Sequence, residues 1–304
     1  MSTLTSYTNA TRPSASSNSG LCIFNTDDNQ IQVSDGTDWL VYNYDLTTAN
    51  GLSLEFDGGD RLDTTYSMSS VQSFTTMFWM KSTDTSNYIC MVADNDRSTS
   101  AEGNLQILRV NGNSNFFIVF GTAASPLYNL KNNITNFNSL CDGNWHHVAV
   151  VFDSSGTYTN VTIYKDGSQA VSEDARTANG WANDNKVIGT SPDAFTFGAR
   201  YSAYGEKFYT GKMDQMAFFE SALTSTNISD IYNSGNGGDL LTLGFSPDAY
   251  YRVGYYPLED TNSDGSAASA SNDIGTVADY SGNNNDASQA TASLKPNYVA
   301  DPAF

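Results

Sequence analysis

Two adjacent histidines, His146 and His147, are the only imidazoles in a chain of 304 residues. Imidazole is the usual general base and a common zinc ligand, so the pair invites a catalytic or metal reading. Spacing argues against it. Both lie in the stretch from Trp145 to Phe152, which reads as a strand, and successive strand residues point to opposite faces. Two rings on opposite faces do not converge on one ion or one substrate, so a structural role is expected for the pair.

Carboxylates are the next candidates. Glycoside hydrolysis requires two of them about 5 to 10 Å apart across the scissile bond. The chain has six Glu, at 55, 102, 173, 206, 220 and 259, and no strand offers two Asp on the same face, so hydrolase chemistry is not expected. Asp94, Asn95 and Asp96 form an oxygen-rich turn of the kind that holds a hard cation, although Asp in a turn also hydrogen-bonds its own backbone. The interval from Ala178 to Tyr209 mixes rings with amides and carboxylates, in Trp181, Asn183, Asp184, Tyr201, Tyr204 and Tyr209. Sugars present C–H faces that stack on rings and hydroxyls that seek polar partners. These residues are therefore a candidate ligand surface, or else a set that packs beneath a long loop or against another subunit. No Ser/His/Asp order, phosphate-cradling glycine loop or Cys-x-x-Cys spacing occurs.

The elements that position these groups read as strands. In Trp145 to Phe152 both alternating sets are largely apolar, which predicts a strand covered on both sides. Val161 to Lys165 follows, running into Asp166-Gly167, which predicts a tight hairpin. Leu52 to Phe56, Phe74 to Met80, Tyr88 to Ala93, Leu105 to Val110, Phe116 to Phe120 and Gly211 to Phe219 add further strands at short intervals, the rhythm of a sandwich. A short helix is expected to begin at Thr224, to carry Ile228, Ile231 and Tyr232 inward, and to stop at Gly235.

Composition agrees with this reading. Only 15% of residues are charged and 12% are aromatic, which fits a turn-rich β protein. The formal net charge of -19 argues against binding nucleic acid or anionic membranes electrostatically and makes divalent cations the more natural charged partners. No apolar run approaches the roughly 20 residues that span a bilayer, and the first 14 residues lack an apolar signal core. Cys22, Cys90 and Cys141 do not make a complete disulfide set, so buried free thiols are expected.

The stretch DGNWHHVAVVFD at 142–153, followed by VTIYKDGS at 161–168, resembles the laminin-G-like, concanavalin A-like jelly roll. LSLEFDGGDRLD at 52–63, FTTMFWMKS at 74–82 and GKMDQMAFFESALTSTNISDIYNSG at 211–235 follow its order of motifs. The resemblance implies an all-β, concanavalin A-like β-sandwich and a role in binding. Relatives often hold calcium at the sandwich edge, and Asp57 and Asp214 stand where their ligands do. The Glu-x-Asp-x-x-Glu strand of the β-glucanase relatives is absent. Relatives have Glu where this chain has Asn227, which implies a weaker helix cap. The segment from Tyr250 to Ser288 resembles the one that precedes the first strand in such proteins. It is expected either to return to its own sandwich in permuted order or to dock on a neighbouring subunit.

The start of the chain resembles something else. RPSASSNSGLCIFNTDDNQIQVSDGTDWL at 12–40 is similar to the small meander of bacteriophage tail-fibre and virion structural proteins, through Arg12-Pro13, Gly20, Phe24-Asn25-Thr26, Asp35-Gly36 and Trp39. Together with a jelly roll it implies a structural protein on the surface of a tailed, often marine, phage, made in the host cytoplasm without a signal peptide. The expected organisation is an extended arm at 1–19, a small attachment or oligomerisation meander at 20–45, a jelly roll at 46–243 and a C-terminal extension at 244–304. Expected partners are other virion proteins, copies of the chain, with trimers usual for fibres, and a host-surface glycan; calcium is the expected cofactor.

Overall fold

A computed structural model describes residues 5–18, 21–26, 30–34, 36–41, 52–67, 73–85, 89–94, 105–109, 116–122, 125–132, 137–153, 155, 160–174, 194–200, 207–237, 240, 252–256, 276–277, 279–281 and 283–299. The chain divides into two compact units, Met1–Ala49 and Asn50–Phe304.

The first unit is a four-stranded sheet of β1 (Thr5–Tyr7), β2 (Cys22–Asn25), β3 (Gln30–Ser34) and β4 (Trp39–Val41), in that order. β1 pairs with β2 in parallel, and the rest is an antiparallel meander. Residues 5–18 are therefore not an extended arm. Their small polar side chains and carbonyls fold back as hydrogen-bond partners: Trp39 Nε1 donates to the Pro13 carbonyl at 2.9 Å, and Ser34 Oγ to that of Ala15 at 2.8 Å. Asn25 and Gln32 are buried, and Arg12 donates to Gln32 Oε1 at 2.7 Å while lying over the Trp39 ring.

The second unit contains β5 (Ser53–Asp57), β6 (Leu62–Thr64), β7 (Ser73–Lys81), β8 (Ile89–Asp94), β9 (Leu105–Arg109), β10 (Phe116–Thr122) and β11 (Ser125–Asn132). It continues through β12 (His146–Asp153), β13 (Asn160–Lys165), β14 (Ser168–Asp174), β15 (Phe195–Phe197), β16 (Ala199–Arg200), β17 (Lys207–Phe208) and β18 (Thr210–Phe219). Helix α1 (Ser225–Tyr232) precedes β19 (Arg252–Tyr256), β20 (Thr276–Val277), β21 (Ala287–Ser288) and β22 (Asn297–Val299). One sheet runs β14-β13-β12-β7-β18-β5-β22, with β19 also on β18; the other runs β11-β10-β9-β8-β15-β6-β21-β20.

The two sheets close on an aromatic core. Phe218 lies at its centre, with ring centroids of Phe195 at 4.8 Å, Phe197 at 5.1 Å and Tyr66 at 5.7 Å. β7, β12 and β18 are apolar on both faces because each face is covered. Phe74, Phe78, Val148, Val150, Met213 and Phe218 join the inter-sheet core. Met77, Ala149, Val151, Ala217 and Phe219 form a second cluster with Ile228 and Ile231 of α1.

The C-terminal segment returns to its own sandwich. β19 pairs with the C-terminal half of β18, β21 with β6 and β22 with β5. A bulge makes room for this. Between Asp214 and Ala217 the register of β18 shifts, with Gln215 in the left-handed region at φ 41°, so that β5 occupies the edge before the bulge and β19 the edge after it.

Helix α1 departs from expectation at both ends. Asn227 completes a capping box: its N–H reaches Thr224 Oγ1 at 3.2 Å and its Oδ1 accepts the Thr224 N–H at 3.0 Å. The amide does here what Glu does in the relatives, so the cap is not missing a member. Asn227→Ala is expected to lower stability by about 1 kcal/mol in urea denaturation. The stop falls at Asn233, in the left-handed conformation at φ 48°, two residues before Gly235. Asn tolerates that conformation because its side chain hydrogen-bonds locally, here from Nδ2 to the Gly237 carbonyl at 2.8 Å.

Candidate functional site

β12 places His146 and His147 on opposite faces, as the alternation requires. His146 is half-buried and bridges two carboxylates. Its Nδ1 lies 2.9 Å from Asp166 Oδ2 and its Nε2 3.2 Å from Asp142 Oδ1. Asp166 is the first residue of the predicted hairpin turn, with φ of 51° there and 72° at Gly167. Both values are positive, as a type I′ turn requires. Asp166 Oδ1 also accepts the His147 N–H at 3.0 Å. The hydrogen bond to Asp166, opposed by burial and reinforced by the Asp166 charge, holds the His146 pKa above its usual value. Burial pushes the Asp166 carboxyl up, but the hydrogen bond and charge of His146 outweigh it and hold it below the usual range. The arrangement clamps the 142–144 turn, the start of β12 and the β13–β14 hairpin. It uses both ring nitrogens of His146, which leaves neither directed at a ligand.

His147 is 1% exposed, and among the described residues neither ring nitrogen has a hydrogen-bond partner. Trp79 of β7 packs against it at 5.3 Å between ring centroids, and Tyr232 of α1 at 6.2 Å. Tyr232 is half-buried and stacks on Trp79 at 5.7 Å, rather than entering the core beside Ile228 and Ile231. Burial drives the His147 pKa down to about 4, so the ring is neutral at physiological pH.

The two carboxylates expected at a calcium site are both described, and they stand apart. Asp57 is exposed at the end of β5, opposite Thr210 of β18. Asp214 is fully buried four residues further along β18, a separation on the order of 13 Å at the rise of a strand. Each has a local task. Asp57 Oδ1 accepts the Gly59 N–H at 2.8 Å, and Asp214 Oδ1 accepts the N–H of the bulge residue Gln215 at 2.8 Å. The pair does not fit a single calcium ion. Asp60, four per cent exposed in the same turn as Asp57, accepts the Asp57 N–H at 2.8 Å. Its burial, opposed by that hydrogen bond and assisted by the Asp57 charge, raises its pKa to about 6. Among the described residues no group of three or more His, Cys, Asp or Glu is placed to hold a metal ion. Asp94 ends β8, while Asn95 and Asp96 lie outside the described residues.

Trp181, Asn183, Asp184, Tyr201 and Tyr204 also lie outside the described residues. Tyr209 does not belong to an exposed ligand surface. It is wholly buried, its ring edge-on to Phe56 at 5.9 Å and its hydroxyl bonded to the carbonyls of Lys81 and Lys212 at 3.1 and 3.0 Å. Cys141 is buried and forms no disulfide, while Cys22 and Cys90 fall in β2 and β8. Asp142 and Asp166 were not among the sequence candidates. The signals were present, in the i,i+4 spacing of Asp142 to His146 and in the Asp-Gly turn, but each had a sufficient local explanation.

Residues 56–229, more than half of the chain, match the family described as the Concanavalin A-like lectin/glucanases superfamily. No curated protein sequence matches the chain. Among solved structures it is similar to a candidate carbohydrate-binding protein from Bacteroides ovatus ATCC 8483, at 16% identity and a TM-score of 0.55. That similarity covers 83% of this chain and 60% of the Bacteroides chain. A heptameric SAP-like pentraxin from Limulus polyphemus is similar at 15% identity and a TM-score of 0.44, over 60% of this chain and 82% of that one. Domains LG4-5 of the mouse laminin alpha1 chain are similar at 11% identity and a TM-score of 0.39, over 64% and 51%. At these identities the likeness is one of fold. The family match and the two-sheet sandwich agree, and the chain belongs to the Concanavalin A-like lectin/glucanases superfamily.

Proposed function

We propose that the chain is a structural protein of the virion surface of a tailed phage, and that its jelly roll binds a host-surface glycan. The observation that carries this reading is a lectin-type sandwich completed by its own C-terminal strands, in a chain that also has a separately compact N-terminal unit. β19, β21 and β22 come from the same chain, so no strand of a partner is needed beside β18, β6 and β5. The N-terminal unit is small and buries Asn25, Gln32 and Ser34 beside Ile23. A sheet of this size gains little from its own core, which supports attachment to other virion proteins or to copies of itself as its role.

Binding is taken to be weak per site and multiplied by copy number, because effective concentration raises avidity without new contacts. Trp181, Asn183, Asp184, Tyr201 and Tyr204 enter as proposed sugar contacts. The reading is one of binding without hydrolysis. The test is retention of host polysaccharide on beads carrying the full chain at high density. Retention is expected to fall about 10-fold with Trp181→Ala, the loss of one stacking contact of roughly 1 kcal/mol or more, with no new reducing ends. Absence of retention at every density leaves a purely structural virion subunit, and new reducing ends make the chain a hydrolase.

A further inference from the structure

Helix α1 packs on its sheet through side chains, Ile228 and Ile231 lying with Met77, Ala149, Val151, Ala217 and Phe219. The strands beneath, β7, β12 and β18, are tied to one another by their own backbone pairing. Just ahead of the helix the chain is anchored, because Thr75 Oγ1 donates to the Ser221 carbonyl at 2.7 Å and accepts the Leu223 N–H at 3.1 Å. The helix can therefore swing from a fixed base without breaking a strand pair. At its far end Tyr232 sits in a socket. Its ring stacks on Trp79 at 5.7 Å and lies 6.2 Å from the His147 ring. It also rests on Gly167 of the β13–β14 turn, where an added Cβ would come within 2.6 Å of Tyr232 Cδ1. The floor of this socket, His147, is a group that acid can charge.

The surroundings of His147 suit the neutral ring. β7 presents Trp79, and Lys81, two positions beyond it, lies over Trp145. α1 presents the Tyr232 phenol, while Asp230 is exposed. β13 presents Tyr164, opposite Ala149, and Lys165 is directed to Ser139. The β13–β14 turn presents Asp166, whose Oδ2 is on His146 and whose Oδ1 takes the His147 N–H. Asp214 lies a strand further, opposite Trp79 on β18, with Oδ1 on the Gln215 N–H. Among the described residues neither nitrogen of the His147 ring has a hydrogen-bond partner. A proton placed there is a buried, unsolvated charge, a state relieved by letting water reach the ring. Lifting α1 does this. His146 responds in the opposite sense, since two carboxylates on its nitrogens favour the charged ring. The 142–144 turn, the start of β12 and the hairpin thus stay tied at the pH that loosens α1. The inter-sheet core of Phe74, Phe78, Val148, Val150 and Phe218 lies on the other face of the sheet.

We infer that α1 is an acid-released latch: protonation of His147 expels Tyr232 from its socket, and α1 swings about Leu223. The apolar strip of Met77, Ala149, Val151, Ala217 and Phe219 is then bared while the sandwich stays paired. Local openings of this kind occur below the free energy of global unfolding. The test is hydrogen exchange of the full chain at pH 7.5 and 4.5, read by mass spectrometry over α1 and over β12 and β18 separately, and corrected for the intrinsic rate at each pH. A ring that titrates at 6.5 when open and at about 4 when covered makes the opening of α1 about 70-fold more frequent at the lower pH. The strands should keep their protection. His147→Gln and His147→Phe carry no titrating ring and should lose the increase; phenylalanine keeps a ring in the socket if glutamine packs poorly there. Circular dichroism checks that each variant stays folded. Helix and strands losing protection together at pH 4.5 would show acid acting on the whole domain and overturn the latch. Unchanged protection of α1, or an increase retained in either folded variant, overturns it too, the latter by assigning the response to another group.

Discussion

A chain ended after Leu243 is expected to lose its cooperative unfolding transition, although the family match stops at residue 229. Tyr256, Val277, Ala287 and Tyr298, all beyond the cut, belong to the inter-sheet core. Tyr256 is wholly buried, edge-on to Phe197 and Phe218 at 5.7 and 6.5 Å, and its hydroxyl donates to the Asn285 carbonyl. Removing a buried aromatic side chain costs about 3 to 5 kcal/mol, so the two tyrosines alone account for roughly 8 kcal/mol. A domain's whole stability is about 5 to 15 kcal/mol. The truncation also strips the hydrogen-bonding edges of β5, β6 and half of β18, leaving backbone groups of core strands without partners. Tyr256→Ala is the graded form of the experiment: a loss of about 4 kcal/mol in urea denaturation, with the slope of the transition preserved. A truncated chain that melts cooperatively within a few degrees of the full one would show that the C-terminal strands are an ornament.

What the sequence displayed, and what it hid, divides along the distance between partners. The strand from Trp145 to Phe152 was legible because its two apolar faces need only the period of two, and the Asp166-Gly167 hairpin because turn chemistry is local. The fold was legible through the order of its motifs. Register was not. Lys81 and Lys212 are 131 positions apart, from 212 - 81, and become neighbours only through the pairing of β7 with β18. The capping box of α1 is hidden in the sequence because Asn227 stands where the resemblance implies Glu, yet its shorter amide also reaches the Thr224 N–H, at 3.0 Å. Asp57 and Asp214 match positions in relatives, but pairing Asp57 with Thr210 sets Asp214 four residues away. The fold-back of residues 5–18 was hidden because it is made by hydrogen bonds to carbonyls at Pro13 and Ala15, which carry no side-chain signature.

His147 is expected to make the sandwich sensitive to mild acid, and the size of the effect follows from its burial. Its ordinary pKa of 6.5 falls to about 4 in the folded chain. The unfolded chain therefore binds a proton between these values that the folded chain does not. Stability from this group is complete above 6.5, declines as pH falls from 6.5 toward 4, and is then lower by about 3 kcal/mol. Its neighbour acts in another window. The raised pKa of His146 gives a contribution that is full below 6.5 and is lost as pH rises through the folded value, so it stays constant over the acid range where His147 titrates. Asp60 opposes His147. With its carboxyl raised from 3.8 to about 6 by burial, it favours the folded chain as pH falls through that interval. The two act in opposite directions over this interval, so the pH profile of the wild-type chain understates each. Substitution separates them. His147→Gln removes the titrating ring but keeps a polar side chain, and should shift stability at pH 4.5 relative to pH 7.5 upward by about 2 to 3 kcal/mol against the wild type. Asp60→Asn should move the same difference downward. Urea titrations of the three chains at the two pH values measure both. Hydrogen exchange at the amides of α1 should respond first in the wild type, because protonation places a charge between Trp79 and the C-terminal turn of α1, where burial leaves it unsolvated. Equal pH dependence in His147→Gln and wild type would mean that the ring is solvated or partnered in the folded chain, and that the neutral, buried imidazole beneath Tyr232 is not the source of acid sensitivity.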